Sequence, residues 1–104
     1  MTHPLVSFET VRGYLVSRYE VQIRGMGKSP ADVPDNFDLL LEGIIDSLGV
    51  LEMIGGMEKE FGLTLDMAGL DAEEMTILGP LSRFVAAQGS AAPENSVTAG
   101  TASL

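Results

Sequence analysis

The sequence predicts an all-α fold: a four-helix bundle of three main helices and one short helix, with a long first loop. Apolar residues recur at spacings of three and four in two separate segments, as they do on one face of an amphipathic helix. Pro80 suits the first turn of a further helix. The length of 104 residues is enough for one small domain, which we place at residues 1–88.

The first helix is predicted over residues 7–24, with Ser7 as its N-cap. Arg12 and Gln22 fall on the apolar side of this helix and interrupt its pattern. The apolar stripe itself consists of Phe8, Val11, Leu15, Tyr19 and Ile23. Glycines after residue 24 are expected to end the helix. The loop at residues 25–38 contains two prolines, and the apolar residues just after it are expected to hold it against the core: Leu39, Leu40, Leu41, Ile44 and Ile45.

The second helix is predicted over residues 47–61. With about 100° per residue, one side of it forms a core stripe. That stripe consists of Val50, Ile54, Met57 and Phe61, with Met53 at its edge. The residues that point away from it, beside Ser47, are Leu48, Leu51 and Gly55. Glu52 and Glu58 flank them, so this face has the composition of a docking surface.

The remainder of the chain is predicted to hold a brief extended link at residues 63–65, a short helical turn at 71–74 and a last helix at 80–87. Thr76 or Gly79 is the expected cap of that helix. Residues 89–104 lack periodicity and bulky side chains, which predicts a disordered C-terminal tail.

Acidic residues outnumber basic ones by 15 to 6, so the formal net charge is −9. Such a surface repels nucleic acid and attracts partners with basic patches. The chain has no cysteine and no apolar run near the ~18 residues of a membrane span. Its N-terminus lacks a basic segment followed by an apolar stretch, so we do not expect a secretory signal. We therefore expect a cytoplasmic monomer that binds no nucleic acid and does not span a membrane.

Ser47 is, by position alone, a helix N-cap or the first residue after an Asp46 cap. It is not expected to be catalytic, because it lacks a Gly-x-Ser-x-Gly motif and the only histidine is His3, near the end of the chain. A metal site is not expected either: residues 32–38 lack the pattern of a calcium loop. The chain is therefore not expected to be an enzyme.

Two glycines, Gly55 and Gly56, lie inside the predicted second helix. Each costs on the order of 1 kcal/mol relative to alanine at such a position. Either a partner or another helix approaches the backbone closely there, or the helix is locally soft.

The segment from Asp46 to Gly62 resembles the acyl carrier protein family. The residues that carry the resemblance are Asp46, Ser47, Leu48, Glu52, Met53, Glu58, Glu60, Phe61 and Gly62. The similarity covers about residues 8–87 and includes a closing Met75-Thr76-Ile77. In that family the corresponding serine carries a 4′-phosphopantetheine arm, and bulkier residues are usual where this chain has its two consecutive glycines.

The resemblance implies that a phosphopantetheinyl transferase moves the arm from coenzyme A to Ser47, with Asp46 helping it to recognise the site. The arm's thiol then carries an acyl chain as a thioester. The second helix would dock basic patches of the loading enzyme and of downstream synthases or transferases. The candidate docking residues are Leu48, Leu51, Glu52, Gly55 and Glu58.

The lead-in to Ser47, Gly-Ile-Ile-Asp-Ser-Leu-Gly, is similar to that of discrete carriers of specialised pathways of the polyketide or nonribosomal peptide kind. It is also similar to D-alanyl carriers, so an aminoacyl carrier stays open as an alternative. A further alternative from another class is an acidic helical adaptor that docks through Leu48 and Leu51, with Ser47 serving only as a cap.

Overall fold

The computed structural model describes residues 6–95, with side chains described as far as residue 89. Over that range the protein is all-α, as predicted, and contains no named strand. Its helices are α1 (Phe8–Arg18), α2 (Glu20–Gly25), α3 (Ser47–Phe61) and α4 (Leu78–Asn95). Three short 3-10 turns connect them: Pro30–Asp32, Met67–Gly69 and Ala72–Glu74. None of the helices in the described part of the chain is long and apolar enough to cross a membrane.

The predicted first helix is two helices, α1 and α2, that meet at Tyr19. Ser7 caps α1 as predicted, because its hydroxyl accepts a hydrogen bond from the Thr10 amide at 3.1 Å. The backbone departs from helical geometry at Tyr19, with φ −108° and ψ 20°. The apolar stripe nevertheless continues across this break, since the same side of both helices is buried: Val11, Leu15, Tyr19 and Ile23. The prediction of one helix was therefore wrong in its continuity and right in its buried face.

Arg12 ties the long first loop to α1. Its Nε donates to the Asp35 carboxylate at 2.7 Å, and its Nη2 donates to the Val33 carbonyl. Val33 and Phe37 are buried beside this contact. Arg12 lies on the apolar side of α1 because its guanidinium has hydrogen-bond partners there, and these bonds hold the loop against the helix.

Leu39 and Ile45 are buried and hold the end of the loop against the core, as predicted, whereas Leu41 is 82% exposed and Leu40 38% exposed. The reason is a turn built on Asp38, whose carboxylate accepts the amides of Leu40 and Leu41 at 3.0 and 3.2 Å. That turn directs Leu39 inward and the two following leucines outward. The prediction for Leu40 and Leu41 was wrong.

The core lies between α1, α3 and α4, with buried residues of the loop added to it. In α3 the fully buried side chains are Met53 and Met57, whereas Val50, Ile54 and Phe61 are only partly buried. The predicted stripe was therefore misplaced toward Val50. Met53, which was placed at the edge, lies at its centre.

The last helix begins at Leu78, two residues before the predicted start. The residue before it is Ile77, so neither Thr76 nor Gly79 is in the N-cap position. The Thr76 hydroxyl donates to the Asp38 carboxylate at 2.7 Å, so Thr76 fixes the loop. Gly79 lies in the first turn of α4, and its amide donates to the Asp35 carbonyl at 2.7 Å. A Cβ there would approach the Asp35 Cβ to 2.8 Å, which explains the glycine.

The same helix continues to Asn95, beyond the predicted end at residue 87. Gly89 is buried, and a Cβ on it would lie 2.6 Å from the Val6 Cβ, so the start of the chain packs against the segment predicted to be a tail. The tail boundary at residue 89 was therefore too early. The predicted disorder of residues 96–104 lies outside the described residues.

Candidate functional site

Ser47 is the first residue of α3, and Asp46 is the N-cap. The Asp46 Oδ1 accepts a hydrogen bond from the Gly49 amide at 2.8 Å. Ser47 is exposed, and its hydroxyl has no hydrogen-bond partner among the described residues. Ser47 is therefore not the N-cap but the first residue after it: the Asp46 carboxylate caps the helix, and the Ser47 hydroxyl faces solvent.

The position of Asp46 is set by the residues around it. Ile45 is buried, and its amide and that of Ile44 both donate to the Leu39 carbonyl, at 3.2 and 2.9 Å. Gly49 provides space, because a Cβ on it would lie 3.0 Å from the Ile45 Cβ and 3.3 Å from the Asp46 carboxylate. The Gly-Ile-Ile-Asp-Ser-Leu-Gly lead-in thus packs the chain immediately before the cap and leaves Ser47 outside.

The outward face of α3 contains four of the five predicted docking residues. Leu48 and Leu51 are 63% and 67% exposed, so their predicted orientation is confirmed. Glu52 and Gly55 are exposed as well. Their role in docking stays a prediction.

Glu58 makes a different contact. It is partly buried, and its carboxylate accepts the Leu65 amide at 2.8 Å. Gly62 ends α3 in the left-handed conformation, with φ 66°, and the chain turns back toward that carboxylate. Glu58 therefore holds the link that follows α3, a role that the sequence analysis missed.

The two glycines inside α3 have opposite surroundings. A Cβ on Gly55 would meet no atom within 4 Å, whereas a Cβ on Gly56 would lie 2.8 Å from the Tyr14 hydroxyl and 2.9 Å from the Arg18 Nη1. The surroundings of Gly56 therefore favour the first of the two explanations, close approach to the backbone: another helix, α1, lies against it there. Gly55 has no such neighbour.

Arg18 lies against α3 at this point. Its Nε donates to the Tyr19 hydroxyl and its Nη1 to the Tyr14 hydroxyl, both at 3.2 Å. The Tyr14 ring in turn packs edge-on against Phe61, with the ring centroids 5.4 Å apart. The hydrogen bond to Tyr19 raises the pKa of Arg18 above its ordinary value.

A polar groove of about 470 Å³ opens beside the start of α3. We call it the Arg18 groove, and its principal lining residues are Arg18, Gln22, Ile44, Ile45, Asp46 and Glu52. The groove is not apparent from the sequence, because it joins α1 and α2 to a segment more than twenty residues away. The available signal was Gln22, a polar residue on the apolar side of the first helical segment.

A second, more apolar groove of about 430 Å³ lies where the first loop meets the turn before α4. Its apolar lining includes Leu40, Leu41 and Ile77. Among the described residues, no group of histidine, cysteine or acidic side chains could hold a metal ion.

Comparison of the chain with protein-family models, with curated proteins and with solved structures gives no match. The resemblance described above therefore rests on the residues themselves, chiefly those around Ser47.

Proposed function

We propose that the protein is an acyl carrier protein and that Ser47 carries a 4′-phosphopantetheine arm. The observation that supports this most is that Asp46 caps α3, so that the Ser47 hydroxyl is exposed and has no described partner. A helix-start serine that only stabilised its helix would be expected to accept a backbone amide. Ser47 is free to be modified without loss of a structural contact.

The residues at the site fit such a group. Its phosphate would lie at the first turn of α3, where backbone amides and the helix dipole favour a negative charge. Bound there, the group supplies a thiol that forms thioesters with acyl chains. The chain's own contribution is to present the Ser47 hydroxyl at a fixed place, outside the packed part of the molecule.

The attachment step needs no catalytic residue of this chain. The Ser47 oxygen forms a bond to the phosphorus of coenzyme A that bears the pantetheine, while the pyrophosphate linkage breaks and the nucleotide half leaves. The hydroxyl proton passes to a base on the transferase. An exposed serine without an activating neighbour is sufficient for this role.

The outward face of α3 supports docking to enzymes of this kind. Leu48 and Leu51 expose apolar surface next to Ser47, and Glu52 adds a carboxylate beside it. A partner with an apolar contact and a basic patch would match that combination, and the net charge of −9 would speed its approach at low salt. We therefore propose the transferase, the loading enzyme and the downstream synthase as partners of this face.

We propose further that the helices form the four-helix bundle of a carrier and that the protein acts as a cytoplasmic monomer. Its pathway is proposed to be a specialised one, of the polyketide or nonribosomal peptide kind, because of the lead-in to Ser47. An aminoacyl carrier of the D-alanyl type is the alternative cargo.

The experiment is an intact-mass measurement after incubation with coenzyme A, magnesium and a broad-specificity phosphopantetheinyl transferase. The wild type is expected to gain the mass of one phosphopantetheinyl group and Ser47→Ala none. Ser17→Ala is the matched control, since Ser17 is an exposed serine on α1, and it should gain the same mass as the wild type. Failure of several transferases to load the wild type would contradict the proposal.

An acidic helical adaptor is the second candidate, and a specific observation favours it: Leu40 and Leu41 line a further apolar groove, which a carrier does not require. An adaptor would keep its partner binding after Ser47→Ala. A carrier with the same substitution would lose loading and every reaction that depends on it.

A further inference from the structure

The Arg18 groove begins next to the proposed attachment point. Asp46, which lines the groove, is the residue immediately before Ser47, and Glu52 lines it from the second turn of α3. A flexible group attached to Ser47 is therefore tethered at the edge of the groove. This inference rests on the proposed function, because only a loaded Ser47 has such a group.

The groove offers the arm both kinds of contact that its chemistry requires. A phosphopantetheine arm has a dimethyl group near the phosphate, then a hydroxyl and two amides, and a thiol at its end. In the groove, Ile44 and Ile45 provide apolar surface, Arg18 and Gln22 provide donors, and Glu52 provides an acceptor. Neither Leu48 nor Leu51 is among its lining residues, so an arm lying there would leave these two leucines of the docking face uncovered.

Arg18 has N–H donors left for such a contact. Its guanidinium has five N–H donors, of which the two phenol oxygens take two. Over the described residues, Arg12 and Arg24 are paired with carboxylates, at 2.7 and 2.9 Å, whereas Arg18 has no ion-pair partner. The missing side chain at Gly56 gives the guanidinium its place against α3.

The charges in the groove decide which part of the arm enters it. Asp46 and Glu52 would repel the phosphodiester, and the Asp46 Oδ1 already accepts the Gly49 amide. The uncharged pantetheine portion meets no such repulsion. Its amide carbonyls can accept from Arg18 and Gln22, and its amide N–H groups can donate to Glu52.

We propose that the arm on Ser47 folds back into the Arg18 groove, with its dimethyl group against Ile44 and its amides bonded to Arg18 and Gln22. The phosphodiester stays outside, at the start of α3. In this position the arm lies along α1 and α2.

The test is nuclear magnetic resonance of the isotope-labelled protein before and after it is loaded with an unlabelled arm. Loading is expected to shift the side-chain resonances of Arg18 Nε–H and the Gln22 amide. Isotope-filtered cross-relaxation is expected between the arm's methyl groups and those of Ile44. Changes confined to residues 46–49, or contacts of the arm with any other surface, would overturn the proposal.

Matched variants sharpen the test. Gln22→Ala and the double variant with Arg18→Gln should load fully by mass and lose the cross-relaxation to Ile44. Arg24→Gln, which removes an arginine outside the groove, should keep it. Gln22 is exposed, so the single variant keeps the test valid if the double variant does not fold.

The mass measurement separates the two proposals. If Ser47 loads and the groove contacts are missing, the fold-back proposal fails and the carrier proposal stands. If Ser47 does not load at all, both fail.

Discussion

The two glycines in the middle of α3 are consecutive in the chain and mark its two faces. Gly56 is against α1, where Tyr14 and Arg18 occupy the space of a side chain, whereas Gly55 faces open space on the side of Leu48 and Leu51. The inward face is specified by packing, and each of its residues has neighbours that restrict it. The outward face has no such neighbours within the described part of the chain, so its composition is free to serve an external partner.

The largest expected change in stability comes from a substitution on the inward face of α3. Met53→Ala should lower the free energy of unfolding by about 2–5 kcal/mol, because Met53 is fully buried and its loss leaves a cavity. Leu51→Ala, at an exposed position, should change it by less than about 0.5 kcal/mol. Urea denaturation followed by circular dichroism measures both. Equal losses for the two variants would contradict the assignment of the faces.

The next effect concerns the start of α3. Asp46→Ala should cost about 1 kcal/mol because the Gly49 amide loses its partner, whereas Asp46→Asn should cost only a few tenths, since asparagine caps equally well. The rate at which Ser47 is loaded shows whether the transferase recognises the charge of Asp46 or needs only the helix cap. If the transferase reads the carboxylate, Asp46→Asn should load slowly while unfolding at nearly the wild-type urea concentration. Normal loading of both variants would show that the transferase does not recognise Asp46.

The smallest effect is the sharpest test of the two glycines. Gly55→Ala should stabilise the protein by up to about 1 kcal/mol through helix propensity alone. Gly56→Ala has the same propensity gain but must displace the ends of the Tyr14 and Arg18 side chains, so its gain should be clearly smaller. Urea denaturation of the two variants side by side measures the difference, and a larger gain for Gly56→Ala would show that α1 does not approach there.

The sequence was sufficient for what depends on local chemistry. The bounds of α3, its exposed leucines and the Ser7 cap follow from periodicity and from side chains within one turn, and the structure confirms them. The apolar stripe through Tyr19 and Ile23 was also right, although the helix that carries it is broken.

The parts that the sequence did not reveal depend on contacts between distant segments. Arg12 appeared as a flaw in the stripe and instead holds the loop through Asp35, twenty-three residues away. Thr76 was expected to cap α4 and instead bonds Asp38. Glu58 was predicted to take part in docking, which stays a prediction, and its carboxylate also accepts the amide of Leu65, seven residues further on. Arg12 and Thr76 each bond to a partner more than twenty residues away, and no local sequence pattern indicates such a contact.

The central claim is that Ser47, with its exposed and unpartnered hydroxyl, is the site that receives the arm. The most direct measurement is peptide-level mass spectrometry of the protein after treatment with coenzyme A and a phosphopantetheinyl transferase, locating the added group among the chain's serines. The account predicts that all of the added mass lies on the peptide with Ser47, and none on peptides with Ser17 or the buried Ser82. Modification of another residue, or of none, would contradict it.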